Sequence, residues 1–369
     1  MKIAIEALGI HYFGGGRSAT INLLQALFEL DQDNEYLLIL NQPEPLLKGV
    51  NVQQRIVAIK NRFLLRVWAQ LRLPKLVRDY DLVHFIKNLG VFGLQNRSII
   101  TIYDMATLLY PDLYPLFDVW YWKYIQKRTL NKSSRIIAIS QQTAQDVQDF
   151  YGTPNKKLSV IYPSCGKHFR PVQSIEITNV RVKYDLPEHY ILYVGRIDPK
   201  KNISLLIEAY ALFQQQSDFD GQLVLVGEQY KKQPDFSIYS IIESLGIQET
   251  VKLVGVVPDE DLPAFYTDST ITVLPSVYEG FGIVALEAMS CGAPLVVNKA
   301  GAVTEVVGDS AIVMADGSPA CLADILTELW NDPAHRNVLR QRELEQARLF
   351  SWEESAQQTL NLYQEVAGK

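Results

Sequence analysis

The segment LPSVYEGFGIVALEAMSCGAPLV carries two carboxylates eight residues apart, Glu279 and Glu287, with Gly280, Phe281 and Gly282 directly after the first. A strand running into this loop and then into a helix from about Ile283 puts Glu279 at the helix start and Glu287 one turn inside. The two need not share a helical face and can address different parts of one ligand. Gly280 and Gly282 permit close backbone approach, and the free N–H groups of the first helical turn favour a diphosphate in the same space. Upstream, YVGRIDPKKN places Arg196 and Lys201 just beyond another strand, with Asn202 positioned to cap the next helix and Lys200 as a solvated neighbour. Arginine binds a phosphate through its fork and lysine as a point charge, so the pair suits a departing nucleoside diphosphate. The competing reading makes Glu279 a helix-dipole partner, Glu287 a solvated helix residue and the cations ordinary loop charges. Against it, a helix carrying Val284, Leu286 and Met289 has no need of Glu287.

A second glycine cluster lies near the start, in GIHYFGGGRSATINLL, where Gly14, Gly16 and Ala19 formally match G-x-G-x-x-A. A dinucleotide fold needs a short turn there and an acidic residue ending the second strand, but this loop is long and that strand ends at Leu40 and Asn41. NAD is therefore disfavoured, and the glycines read as an anion-approaching backbone ahead of a helix, or as a loop needing glycine for backbone reasons alone. The sequence SIITI runs into Tyr103 and Asp104, which read either as a sugar-orienting pair or as packing and a helix cap. Asp-x-Asp occurs at 31–33, 218–220 and 259–261, in polar turns or at a helix start, and no metal site is expected. Cys165, Cys291 and Cys321 are widely separated and lack metal-ligand spacing to the five histidines, so neither a disulfide framework nor zinc is indicated.

The elements that must hold these residues form two repeats of one pattern. Apolar runs at 2–7, 36–40, 56–59, 82–85, 98–103, 135–139 and 158–161 alternate with helical periodicity. After 171–187 the pattern restarts at 190–194, 222–226, 251–254, 270–274, 294–297 and 311–314. Nearly continuous apolar strands fit parallel sheets covered on both faces, whose ligands sit beyond the strand carboxyl ends. The expectation is an α/β chain of two Rossmann-like domains with parallel sheets facing across a cleft, over 1–175 and 176–350. A final helix, 351–369, opens on the capping box Ser351-Trp352-Glu353-Glu354 and crosses back to the first domain. A length of 369 residues, 48% of them hydrophobic, is enough for two cores.

The net charge of −6 is unevenly spread. Residues 1–181 hold 22 Lys and Arg against 14 Asp and Glu, and the remainder 13 against 27. The basic half suits an anionic partner such as a membrane surface or a phosphorylated acceptor. Within it, 60–78 mixes six basic residues with Phe63, Leu64, Leu65, Val67, Trp68 and Leu71, and 120–124 adds aromatics. These segments read either as a peripheral membrane contact or as core helices with cationic edges. No apolar run is long enough to span a bilayer, the start reads as a strand and not a signal peptide, and a cytoplasmic protein is expected. Nucleic acid is not an expected partner of an acidic chain without a reader motif.

On these residues the sequence resembles family 4 of the retaining glycosyltransferases, with the two-domain fold called GT-B, from the GGGR loop to the Ser351-Trp352 tail. The resemblance implies that Glu279 contacts the transferred sugar and that Glu287 holds the ribose hydroxyls. It implies that Arg196 and Lys201 bind the diphosphate, with Gly15 and Gly16 closing over it. Gly280, Phe281, Gly282 and Ile283 then form the backbone of the same nucleotide site, and Val254, Gly255 and Val256 the base-binding segment. One departure is Tyr103-Asp104, where the family commonly has His-Asp. Tyrosine ordinarily only donates or accepts a hydrogen bond, which removes the neutral-pH proton shuttle from that position. The implied activity is metal-independent hexosyl transfer, with retention, to a hydroxyl of a glycan or lipid-linked acceptor. The run GRIDPKKN with YEGFGIVALEAM is most similar to mannosyltransferase-type members, so GDP-mannose is the first donor and UDP-glucose the second. Two rival readings are a nucleotide-sugar epimerase of the same architecture and a catalytically silent sugar-nucleotide-binding subunit.

Overall fold

A computed structural model describes the chain except at residues 11–14, 60, 89, 95–96, 231–233 and 369. The chain folds as two units, Met1–Ser164 together with Phe350–Lys369, and Cys165–Leu349. The first is built on β1 (Lys2–Glu6), β2 (Glu35–Leu40), β3 (Val52–Ile56), β4 (Leu82–Phe85), β5 (Arg97–Ile102), β6 (Arg135–Ala138) and β7 (Leu158–Val160). They form one sheet in the order β3-β2-β1-β4-β5-β6-β7, every pairing parallel. The second unit holds β8 (Tyr190–Val194), β9 (Gln222–Val226), β10 (Val251–Gly255), β11 (Ile271–Leu274), β12 (Leu295–Val297) and β13 (Ile312–Val313). Its sheet is ordered β10-β9-β8-β11-β12-β13, again parallel throughout.

Central strands such as YILYV of β8 and LVHF of β4 are buried at every residue, because helices cover both faces of a parallel sheet. The edge strand corrects the sequence reading. β3 is Val52–Ile56, VQQRI, mostly exposed, whereas the apolar run suggested 56–59. An edge strand needs no continuous apolar stretch, so its own signal is weak; Val57 N–H still reaches Leu40 O at 2.7 Å just past its end.

The break between units falls at Ser164/Cys165, ahead of the expected 175. Residues beyond it already pack within the second unit. Cys165 Sγ lies 3.2 Å from Ser290 Oγ, the Phe169 ring meets Tyr266 at 6.1 Å, and Val172 N–H donates to Thr267 Oγ1 at 3.3 Å. The last helix, Trp352–Ala367, starts where Ser351 Oγ accepts Glu354 N–H at 3.1 Å and packs on the helix Gly15–Leu30 of the first unit. Its Tyr363 hydroxyl meets His84 Nδ1 at 2.6 Å, and His84 Nε2 meets Thr101 Oγ1 at 2.7 Å. Burial pulls His84 down to a pKa of about 3, so the imidazole is neutral and both ring nitrogens are used.

Candidate functional site

Three neighbouring strands of the second unit end in glycine. Gly195 follows β8, Gly227 follows β9 and Gly255 ends β10. Gly195 N–H bonds Val226 O at 2.9 Å and Gly227 N–H bonds Gly255 O at 2.8 Å, so the strand ends stay laced together as their loops open. At Gly227, with φ +135°, an added Cβ would lie 1.8 Å from Gly195 O, which only glycine avoids. Sequence reasoning passed over Gly195 and Gly227; the repeated endings YVG, LVG and LVG were the available signal.

The loop after β8 carries the cations. Asp198 Oδ1 accepts Lys200 N–H at 3.0 Å and opens a short 3-10 turn, Pro199–Lys201. Asn202 does not cap the following helix, Ile203–Gln216, with its side chain as expected; it is the left-handed link (φ 54°) between turn and helix. Asparagine tolerates that conformation, and Asp198 has already taken the capping role one turn earlier. The Arg196 guanidinium stands 4.8 Å from the Tyr230 ring centroid, and Arg196 O accepts the Tyr193 hydroxyl at 2.7 Å.

The loop after β11 meets this one. Val277 N–H donates to Lys200 O at 3.0 Å, and Lys201 Nζ reaches Glu279 Oε1 at 2.6 Å, where Ser276 Oγ also donates at 2.6 Å. The Lys201 and Glu279 side chains are only 16% and 14% exposed, so the pair is largely withdrawn from solvent screening. Burial by itself would raise the Glu279 carboxyl, but the charges of Lys201 and Lys200, with hydrogen bonds from Lys201 and Ser276, outweigh it and hold the group below its ordinary range. Glu279 is thus an ionised carboxylate with one oxygen engaged twice. Lys200, read from sequence as a bystander, contributes to that field. Behind it, Glu279 O accepts Ala302 N–H at 3.0 Å.

The helix Ile283–Ser290 begins at Gly282, which adopts φ +96° and provides no side-chain cap. Its first-turn N–H groups are thereby left without a capping side chain at the end nearest Glu279. Phe281 is buried, so only its backbone is offered, and Gly280 adjoins it. Glu287, half-buried one turn inside, accepts the Tyr266 hydroxyl at 3.1 Å on Oε2. Burial pushes its carboxyl up to about 8, against the Tyr266 hydrogen bond and with the Asp259 charge adding to the rise. The two carboxylates of one motif therefore stand in opposite protonation states at neutral pH. Val254 and Gly255 close β10, and Val256 beyond them is 68% exposed, an apolar surface at a strand's carboxyl end.

Of the first-unit candidates, Gly14 lies outside the described residues, and Gly15 begins the helix Gly15–Leu30. Gly16 O accepts Thr20 Oγ1 at 2.7 Å, and the Tyr103 hydroxyl meets the same Thr20 Oγ1 at 3.0 Å. Burial raises the Tyr103 phenol to about 12, despite the Thr20 hydrogen bond, so it is a neutral hydrogen-bonding group. Asp104 Oδ1 accepts Ala106 N–H at 3.0 Å and holds the start of the short helix Ala106–Leu109. One carboxylate of each Asp-x-Asp has a structural partner: Asp31 with Asn34, Asp218 with Trp330 Nε1, and Asp261 with Lys183 and Tyr184.

Residues 176–346 match the family model for glycosyl transferases group 1, and residues 13–164 match that for glycosyltransferase family 4. The chain is 30% identical over 289 residues to O-antigen chain mannosyltransferase B of Escherichia coli, covering 78% of this chain and 75% of that protein. It is 29% identical over 268 residues to the serotype-specific mannosyltransferase WbdA of Escherichia coli, and the match spans 32% of that longer protein. Among solved structures, Anabaena Alr3699/HepE in complex with UDP-glucose aligns with a TM-score of 0.77 at 20% identity, over 99% of this chain and 100% of that one. Two parallel α/β units, a group 1 model on one, a family 4 model on the other and a mannosyltransferase relative across most of the length make the chain a GT-B glycosyltransferase belonging to glycosyltransferase family 4.

Proposed function

We propose that the chain transfers a hexosyl group, mannosyl first, from a nucleoside diphosphate sugar to a hydroxyl of a glycan or lipid-linked acceptor, with retention and without a metal ion. The observation that carries this reading is the largely buried Lys201–Glu279 pair, with Arg196 on the same loop as Lys201 and Glu279 on the loop that opens the helix at Ile283. A cation pair and a helix N-terminus supply the charge that a departing diphosphate requires. The bond from the anomeric carbon to the diphosphate oxygen breaks with its electrons on phosphate. The acceptor oxygen bonds the same face of that carbon, and its proton passes to the departing phosphate oxygen, so no dedicated base is needed. Lys201 has three N–H donors and can keep Glu279 while adding a phosphate oxygen. Glu279 orients the sugar, and Glu287 takes the ribose hydroxyls. GDP-mannose is the first donor because a relative 30% identical is a mannosyltransferase. UDP-glucose, held by the Anabaena protein, is the second. The epimerase and silent-subunit readings are not favoured by these relatives.

The setting we propose is the cytoplasmic face of a membrane. No helix among the described residues is long and apolar enough to cross one. The helix Arg62–Leu76 instead exposes Phe63, Val67 and Leu71 at four-residue spacing, and the chain from Leu116 on exposes Leu116, Trp120 and Tyr124 likewise. Arg66 ties the two together, 3.4 Å from Asp118 and 4.7 Å from the Tyr121 ring. Apolar ladders with basic neighbours Arg72, Lys75 and Lys123 suit an anionic bilayer surface.

The donor reading is tested by thermal shift with GDP, UDP, ADP, GDP-mannose and UDP-glucose on the wild type, Arg196→Ala and Glu287→Ala. A ligand at 100 times its Kd adds about 2.7 kcal/mol. Stabilisation of the wild type by one nucleotide family, lost in both variants, is expected. No response to any nucleotide at millimolar concentration would sink the donor site.

A further inference from the structure

The pairing of β8 with β9 does not stop where the two strands end. Ile197 N–H bonds Glu228 O at 2.9 Å and Tyr230 N–H bonds Ile197 O at 2.9 Å, so that Ile197 and Gln229 form a further parallel bridge between the two loops. The loop after β9 is fastened again beyond this bridge. Gln229 Nε2 donates to Asp235 O and Asp235 N–H donates to Gln229 Oε1, both at 2.7 Å. Asp235 Oδ1 in turn accepts Ser237 N–H at 3.2 Å, at the start of the helix Ser237–Leu245. On this fixed stretch of backbone the half-buried Tyr230 ring presents its centroid 4.8 Å from the guanidinium carbon of Arg196. The main chain of Arg196 is held separately, because the fully buried Tyr193 donates its hydroxyl to Arg196 O at 2.7 Å. Gly195 leaves room for that bond, since an added Cβ there would lie 2.7 Å from the Tyr193 hydroxyl oxygen.

Arg196 is exposed just past the end of β8, and an exposed arginine samples many rotamers, most of which are lost when its fork closes on a phosphate. A ring against the guanidinium narrows that sampling before the anion arrives. Contact through the guanidinium face uses none of the N–H groups that a diphosphate takes. We propose that Tyr230 is a positioning residue for Arg196, holding the guanidinium ready for the diphosphate of the donor, so that the loop after β9 assists donor binding without touching the donor. This rests on the donor site proposed above. The contact needs the aromatic ring and not the phenolic hydroxyl.

The test measures the affinity of the full chain for GDP and UDP by calorimetry, and for guanosine and uridine by ligand-observed NMR. Tyr230→Phe keeps the ring and should leave the diphosphate Kd within about twofold of the wild type, whereas Tyr230→Leu should raise it about three- to fivefold, the range of a solvent-accessible cation–π contact. Nucleoside affinity should be the same in all three proteins. In the Arg196→Ala background, which weakens the diphosphate by itself, adding Tyr230→Leu should change nothing further. Unchanged diphosphate affinity in Tyr230→Leu, with Arg196→Ala weakened, overturns the positioning role and leaves the donor site standing. Nucleoside affinity falling in step with diphosphate affinity also overturns it, because the ring then touches the donor itself. So does a fully additive effect of the two substitutions, or a loss in Tyr230→Phe as large as in Tyr230→Leu. An Arg196→Ala variant that binds GDP and UDP as the wild type does, or a wild type that binds neither, overturns the donor site, and the positioning role falls with it.

Discussion

Glu279 and Glu287 come from one stretch of chain, yet their surroundings set them apart. Glu279 is surrounded by Lys201, Lys200 and Ser276, whereas Glu287 has one tyrosine hydroxyl and a nearby like charge. Lys201→Ala removes a near-buried partner of an ionised carboxylate and, on the function we propose, a donor to the diphosphate. We expect kcat to fall about 10²- to 10³-fold, the range for losing one preorganised charge-stabilising donor, as read by single-turnover donor consumption. A fall below tenfold would dismiss Lys201 from the chemistry. Glu287 gives a pH signature. With a carboxyl raised to about 8, the protein must lose a proton before Glu287 can accept from two ribose hydroxyls as a carboxylate. Nucleotide affinity should therefore climb with pH, by up to about tenfold per unit below 8, and level off above it. Calorimetric titration between pH 6 and 9 checks this, and Glu287→Gln should flatten the curve.

At the scale of elements, the donor site we propose depends on how strands end more than on how they run. The glycine after β9 lets β8, β9 and β10 stop side by side, and the loops after β8 and β11 are then joined by Val277 N–H to Lys200 O. In the other unit, the closing helix Trp352–Ala367 is keyed to the sheet by the buried Tyr363–His84–Thr101 chain. Its removal should be felt as stability. Tyr363→Phe strands a buried imidazole nitrogen and should cost about 1–3 kcal/mol in urea unfolding. His84 ionises near 6.5 in the unfolded chain but near 3 when folded. Its contribution is complete above 6.5 and lost as pH falls toward 3, by up to about 1.4 kcal/mol per unit. Unfolding curves at pH 7 and pH 5 should differ less for His84→Gln than for the wild type; equal differences would show that His84 does not set the acid sensitivity.

At the scale of the whole molecule, charge and exposed apolar surface follow the same division. The first 181 residues carry the excess of Lys and Arg, and the exposed ladders around Trp120 and Leu71 belong to them. Binding to vesicles containing phosphatidylglycerol should exceed binding to phosphatidylcholine vesicles and weaken as salt rises, since screening shortens the reach of surface charge. Leu116→Asp with Trp120→Asp should abolish sedimentation with either vesicle while leaving nucleotide-induced stabilisation intact. Equal sedimentation of the double variant and the wild type would remove the bilayer as the partner of this surface.

Sequence alone determined what depends on local pattern. Continuous apolar runs specify buried parallel strands, and Gly-x-Gly ahead of an apolar helix specifies a helix start without a capping side chain. The sequence also singles out Glu279, Glu287, Arg196 and Lys201, the residues of the donor site we propose. Sequence did not reveal the edge strand β3, whose exposed side chains leave no apolar trace, or the left-handed Asn202, which links the turn capped by Asp198 to a helix without a side-chain cap. Only the tertiary structure decided the protonation of the two glutamates, because that is settled by which distant charges and hydroxyls fold around each. The same holds for the burial of Glu6 on β1 and of both ends of the π-helical turn Tyr121–Gln126, which are far from each other in the chain and share no motif that would mark them as buried.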